Sequence, residues 1–230
     1  MPLPDPPQTE TVIVELTTRF RAEQKLGAVT VNAKLTAAAR AYAMYLAETG
    51  KFAHEADGRE PWDRTKAAGY THCVVAENLA SHLDSRGFET RALATAAMEG
   101  WKNSPGHRAN LVLPGVTEIG VGVVQAPGAN PKFLSVQLLG RPDSFRISFR
   151  IDNRSGAAVS YAVGNRELTL ERDTHVTHTT CAADQIVFKR AGNFLTGKSI
   201  AARFVAASGA VFTVKADAKG GVIVEAQPKR

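Results

Sequence analysis

Apolar positions in the first half of the chain recur at helical spacing and then change to strand-like alternation. Thr11 to Leu26 places Val12, Leu16, Phe20 and Ala22 near one face, which predicts a helix. Lys34 to Thr49 carries the stronger pattern. Leu35, Ala38, Ala39, Tyr42, Met44 and Leu46 follow a 3.6-residue rhythm in an alanine-rich stretch, and Gly50 supplies a stop. Pro61 suits the first turn of a short helix over Trp62 to Ala68, closed by Gly69. A fourth helix over Thr90 to Lys102 buries Leu93, Ala97 and Trp101. Glu118 to Gln125 and Phe133 to Leu139 read as strands joined by a hairpin loop containing Pro127, Gly128, Asn130 and Pro131. Helices around a short antiparallel sheet give an α+β domain over residues 1–141.

Gly140-Arg141-Pro142-Asp143 breaks this pattern, and no helical period follows it. Short β-type runs cover 146–151, 158–163, 167–171, 175–179, 185–189, 200–206, 211–216 and 221–225. Turn signals separate them, among them Asn153-Arg154-Ser155-Gly156, Ala191-Gly192-Asn193 and residues 217–221. That spacing predicts a β-sandwich domain over 142–230.

Composition narrows the function classes. No apolar run is long enough to span a membrane as a helix. Met1 to Glu10 shows neither a basic nor an apolar leader segment, so an exported protein is expected to have had its signal removed. The net charge of +6 is uneven, with +1 in residues 1–141 and +5 in 142–230. The basic residues of the second part alternate along strands, as on the solvent face of a sheet, and nucleic acid is not an expected partner. Cys73 and Cys181 are the two cysteines. They are either separate buried thiols or one long-range disulfide. A bridge would constrain the unfolded chain by about 4 kcal/mol and imply an oxidising compartment.

Candidate chemistry sits at the edges of these elements. His54 follows the second helix, Glu77 falls in a loop before a short apolar run, and His107 lies in a Ser-Pro-Gly turn after the fourth helix. Two imidazoles and a carboxylate suit Zn²⁺ better than Ca²⁺, and the same trio could work without metal, with Glu77 orienting a His base. Ser104 is a nominal nucleophile whose setting is equally good turn chemistry. His72 and His82 flank the Glu77 segment as weaker candidates. His175 and His178 point to opposite faces of a strand and chelate poorly.

The order LTAAARAYAMYLAETGKFAH, GY, AENLA, WKNSPGHRANL and TEIGVGV resembles the CAP superfamily, which includes cysteine-rich secretory proteins, antigen 5 and pathogenesis-related class 1 proteins. The likeness covers residues 10–141 and is closest to bacterial members. It implies an α-β-α sandwich, a protein that is secreted or faces the periplasm or cell wall, and a cleft of two His and two Glu able to hold a divalent cation. His54 and His107 match the histidines and Glu77 the first glutamate. Asn103 and Ser104 stand where the second glutamate is expected, so either the site has three protein ligands or Glu118 supplies the fourth group from another direction. Asn78 is expected to cap local backbone. The expected function is an exported binding module for an envelope component, lipid or protein, with the β-sandwich as its anchor. The alternative is a metal-assisted hydrolase in which His54 and His107 hold Zn²⁺, Glu77 or Glu118 acts as base, and Ser104 contacts substrate.

Overall fold

A computed structural model describes residues 1–190, 199–218 and 221–227. The predicted turns at 191–193 and 219–220 lie outside the described residues. The chain divides into two compact units, Met1–Ser144 and Phe145–Arg230.

The first unit contains helices α1 (Pro6–Glu23), α2 (Ala33–Thr49), α3 (Pro61–Ala67), α4 (Thr90–Asn103) and α5 (Pro105–Leu111). Its strands are β1 (Thr30–Val31), β2 (His72–Leu83), β3 (Glu118–Ala126) and β4 (Lys132–Pro142). They form one sheet in the order β1-β3-β4-β2, antiparallel except for the β1–β3 pair. One face packs against α1 and α4 through Leu93, Trp101, Ile119 and Phe133, and the other against α2 through Leu35, Tyr42, Leu134 and Val136.

Capping explains where α1 and α2 begin. The Asp5 side chain accepts from Gln8 N at 2.9 Å, and Pro6 and Pro7 suit a first turn, so α1 starts five residues before the predicted Thr11. The Asn32 side chain caps α2 by accepting from Lys34 N and Leu35 N, and Gly50 ends it at φ +69°. Gly120 and Gly122 of β3 let α2 approach closely. A Cβ on Gly122 would stand 2.3 Å from Arg40 N, and one on Gly120 would stand 2.2 Å from Thr36 N.

Two expectations are corrected here. Glu77 lies in the interior of the 12-residue strand β2 rather than in a loop. Adjacent polar residues, Glu77 and Asn78, interrupt the apolar alternation because each faces a buried polar network. His107 lies on α5, not in a turn: Pro105 at the first helical position starts a helix where a turn was expected.

Among the described residues, the second unit's regular structure is all β. Strands β5 (Ile147–Arg154), β6 (Val159–Val163), β7 (Arg166–Leu170), β8 (His175–Thr180), β9 (Gln185–Arg190), β10 (Ser199–Val205), β11 (Val211–Ala216) and β12 (Val222–Gln227) form two four-stranded sheets. Their orders are β10-β9-β6-β7 and β12-β11-β5-β8. Phe149, Ile151, Tyr161, Phe188 and Phe212 share one core, which makes the unit a sandwich. His175 is exposed, whereas His178 turns inward, with its Nε2 2.8 Å from the Tyr161 hydroxyl. Cys73 and Cys181 form a disulfide, which resolves the two alternatives left by the sequence.

Candidate functional site

Strand alternation at β2 organises the candidate site. Glu77 shares the α2 face with Val75 and Leu79, while Asn78 shares the opposite face with Ala76 and Ala80. Within the first unit β2 is an edge strand, so groups from both helical layers can reach it.

On the α2 side, His54 follows α2 in a loop, and its Nδ1 lies 2.8 Å from Glu77 Oε1. The other Glu77 oxygen accepts from Arg64 Nη2 at 2.8 Å. The Glu77 and Arg64 side chains are 1% and 4% exposed, whereas His54 is 49% exposed. Arg64 also donates to Asp57 Oδ1, to the Arg59 carbonyl and to the His54 carbonyl, and its guanidinium carbon sits 3.5 Å from the centre of the Tyr42 ring. Tyr42 in turn accepts from Ala56 N. The loop bearing His54 is therefore fastened to α2, α3 and β2 together.

On the other side, Asn110 of α5 donates to the Glu77 carbonyl at 3.0 Å and to Asn78 Oδ1 at 2.9 Å. Asn78 donates to the His107 carbonyl and to Gln137, and Gln137 donates to Thr17 of α1. Asn78 thus reaches α5 rather than capping local backbone. These bonds fix the helix that carries His107, whose ring centre lies 6.4 Å from that of His54.

Glu118 does not join this group. Its Oε1 accepts from Asn32 Nδ2 at 3.1 Å and its Oε2 from the Tyr70 hydroxyl at 2.7 Å, so it ties the start of α2 to the segment before β2. Tyr70 is strongly raised, by burial first and then by its bond to Glu118. Ser104 occupies the N-cap position of α5, but its side chain makes no cap bond, and Asn103 is exposed. His82 packs edge-on against Phe88 on the face opposite Glu77, and His72 opens β2 opposite Pro142. Among the described residues, no group of three or more His, Cys, Asp and Glu side chains is placed to hold a metal ion.

The histidines differ in electrostatics. The hydrogen bond to Glu77 raises His54 above the ordinary imidazole range, whereas burial, and secondarily the charge of His54, lowers His107. His54 therefore contributes stability that is complete below about pH 6.5 and is lost as pH rises through its folded value. His107 contributes stability that is present above about pH 6.5 and is lost as pH falls through its own. In a ¹⁵N NMR titration of the metal-free protein, His54 is expected to titrate above about 6.5 and His107 below it. Glu77→Gln should remove the upward shift of His54. Coincident titration of both rings would contradict this electrostatic account.

Arg64, Asn110 and Gln137 escaped the sequence reading. Asn110 lies inside the WKNSPGHRANL segment and could have been singled out there, since a polar residue three after His107 lies near it on a helix. Arg64 and Gln137 carried no local signal, because their partners are distant in sequence.

Comparison with known proteins agrees with this architecture. A Bacillus subtilis (strain 168) protein designated YkwD is 31% identical over 118 residues, which cover 51% of this chain and 43% of YkwD. The chain thus spans less than half the length of that relative. The structure of an outer surface protein from Borrelia burgdorferi superposes with a TM-score of 0.50 at 21% identity, covering 59% of this chain and 93% of that one. An extracellular SCP-domain protein from Bacillus anthracis superposes at 0.49 with 22% identity, covering 59% and 41%. The pattern of the cysteine-rich secretory protein family (CAP) matches residues 14–138, more than half of the chain. The chain belongs to the CAP family.

Proposed function

We propose that this protein is an exported binding module whose first unit holds a divalent cation between His54 and His107. The reading rests on the commitment of Glu77. Both of its oxygens are engaged, one by Arg64 and one by His54. It is therefore neither a free ligand nor a free base. A carboxylate on Nδ1 is the usual support of a metal-binding histidine, since it fixes the ring and leaves Nε2 outward. His54 and His107 would hold the ion, with Glu77 behind His54. A bound Zn²⁺ would supply open coordination positions for an oxygen-bearing ligand.

Export is supported by the disulfide, which persists in oxidising compartments, and by the secretory family. The net positive charge of the second unit suits an anionic envelope component. The hydrolase reading needs a carboxylate free to take a proton, and Glu77 and Glu118 are each held by two donors.

The test is thermal unfolding with Zn²⁺. At a hundredfold excess over Kd, a rise in Tm of roughly 5 to 10 °C is expected for wild type. Neither His54→Ala nor His107→Ala should show it. A wild-type Tm indifferent to Zn²⁺, Mn²⁺ and Ni²⁺ would remove the cation from this reading.

A further inference from the structure

A concavity lies on the outer side of α2, where α3 packs beside it. Its volume is about 330 Å³, at the low end for small-molecule sites. Ala37 and Ala41 of α2 face it together with Ala67 of α3, so methyl groups line a space that larger side chains would fill. Tyr42 and Tyr45 add two parallel rings, 6.1 Å apart with 8° between their planes.

The remaining lining is charged. It holds two guanidiniums, Arg59 and Arg64, and the carboxylate of Asp57, with Glu77 paired to Arg64 behind the lining. Arg59 is 56% exposed and uses Nε and Nη2 on Asp57 Oδ2, so Nη1 has no partner among the described residues. Arg64 is almost wholly buried, and its Nε is left with no acceptor. A buried N–H without a partner is costly, and the free Nη1 of Arg59 at the rim of an apolar hollow is a charged donor open to an anionic acceptor.

We propose that this hollow binds a small aromatic carboxylate. Its ring would lie against the tyrosines and the alanine methyls, and its carboxylate would pair with Arg59 at the rim. Planar guanidinium donors suit a carboxylate better than a point charge does. The site is distinct from the two imidazoles and shares Arg64 with their support.

The probe is 2-naphthoate, titrated into the full chain by NMR or calorimetry, with methyl 2-naphthoate as its uncharged counterpart. Naphthoate should bind at least tenfold more tightly than the ester. Ala41→Phe fills the hollow from an exposed helical position and should abolish binding, with the circular dichroism and melting of wild type retained. Arg59→Ala should weaken naphthoate at least tenfold and leave the ester unchanged. If Ala41→Phe does not fold, the Arg59→Ala comparison decides the matter alone. Equal affinity for acid and ester, naphthoate binding unaffected by either substitution, or no binding to wild type overturns the proposal. None of these readouts involves a metal, so this inference and the cation reading fail independently.

Discussion

Arg64→Leu is expected to lower the stability of the first unit by about 3–5 kcal/mol, the usual cost of removing one partner from a buried ion pair. The loss has identifiable parts. Glu77 would keep its charge at 1% exposure with His54 as its remaining side-chain partner, and Asp57 would keep Arg59 alone. The carbonyls of His54 and Arg59 would lose a donor. Leucine matches much of the apolar bulk over Tyr42, so the loss is electrostatic rather than a cavity. Arg64→Lys should recover little, because one ammonium cannot reach two carboxylates and two carbonyls from one plane. Denaturant unfolding monitored by circular dichroism measures this. A variant within about 1 kcal/mol of wild type would show that the network is peripheral to the fold.

Gly122→Ala should be at least as damaging, at about 3 kcal/mol or more. The new methyl would meet Arg40 N at 2.3 Å and Ala39 C at 2.4 Å. Both are helix backbone, which cannot rotate aside as a side-chain tip can. Helix α2 would have to lift off β3, taking Leu35 and Tyr42 out of the core. Gly106→Ala is the internal contrast, since a methyl added there would have nothing within 4 Å of it. Matched denaturation curves should show Gly106→Ala near wild type and Gly122→Ala far below it. Equal midpoints would mean that the α2–β3 approach tolerates expansion.

Local chemistry was legible in the sequence wherever it acts over a few residues. The short β-type runs between turn signals from Arg146 onward match the eight strands among the described residues, because each buries one face against the opposite sheet. The 3.6-residue rhythm gave α2, whose caps are its own neighbours. β2 was not legible. Its central residues Glu77 and Asn78 are polar yet buried, and their partners Arg64, Asn110 and Gln137 come from other elements. Glu118 failed for the same reason. It was proposed because Asn103 and Ser104 stand where a second glutamate was expected, but its position is set by Tyr70 and Asn32, 48 and 86 residues away along the chain. His54, Glu77 and His107 were marked by motif order, and the contacts that place them involve Arg64 and Asn110.

The pairing of Glu77 with Asn78 has a mechanical outcome. One imidazole hangs from the side chain of the first residue, and the helix bearing the other hangs from the second. The two rings are thus referenced to a single peptide unit, although they belong to helical layers on opposite faces of the sheet. Any breathing of those layers is therefore expected to change the gap between the rings less than it changes the separation of the layers that carry them.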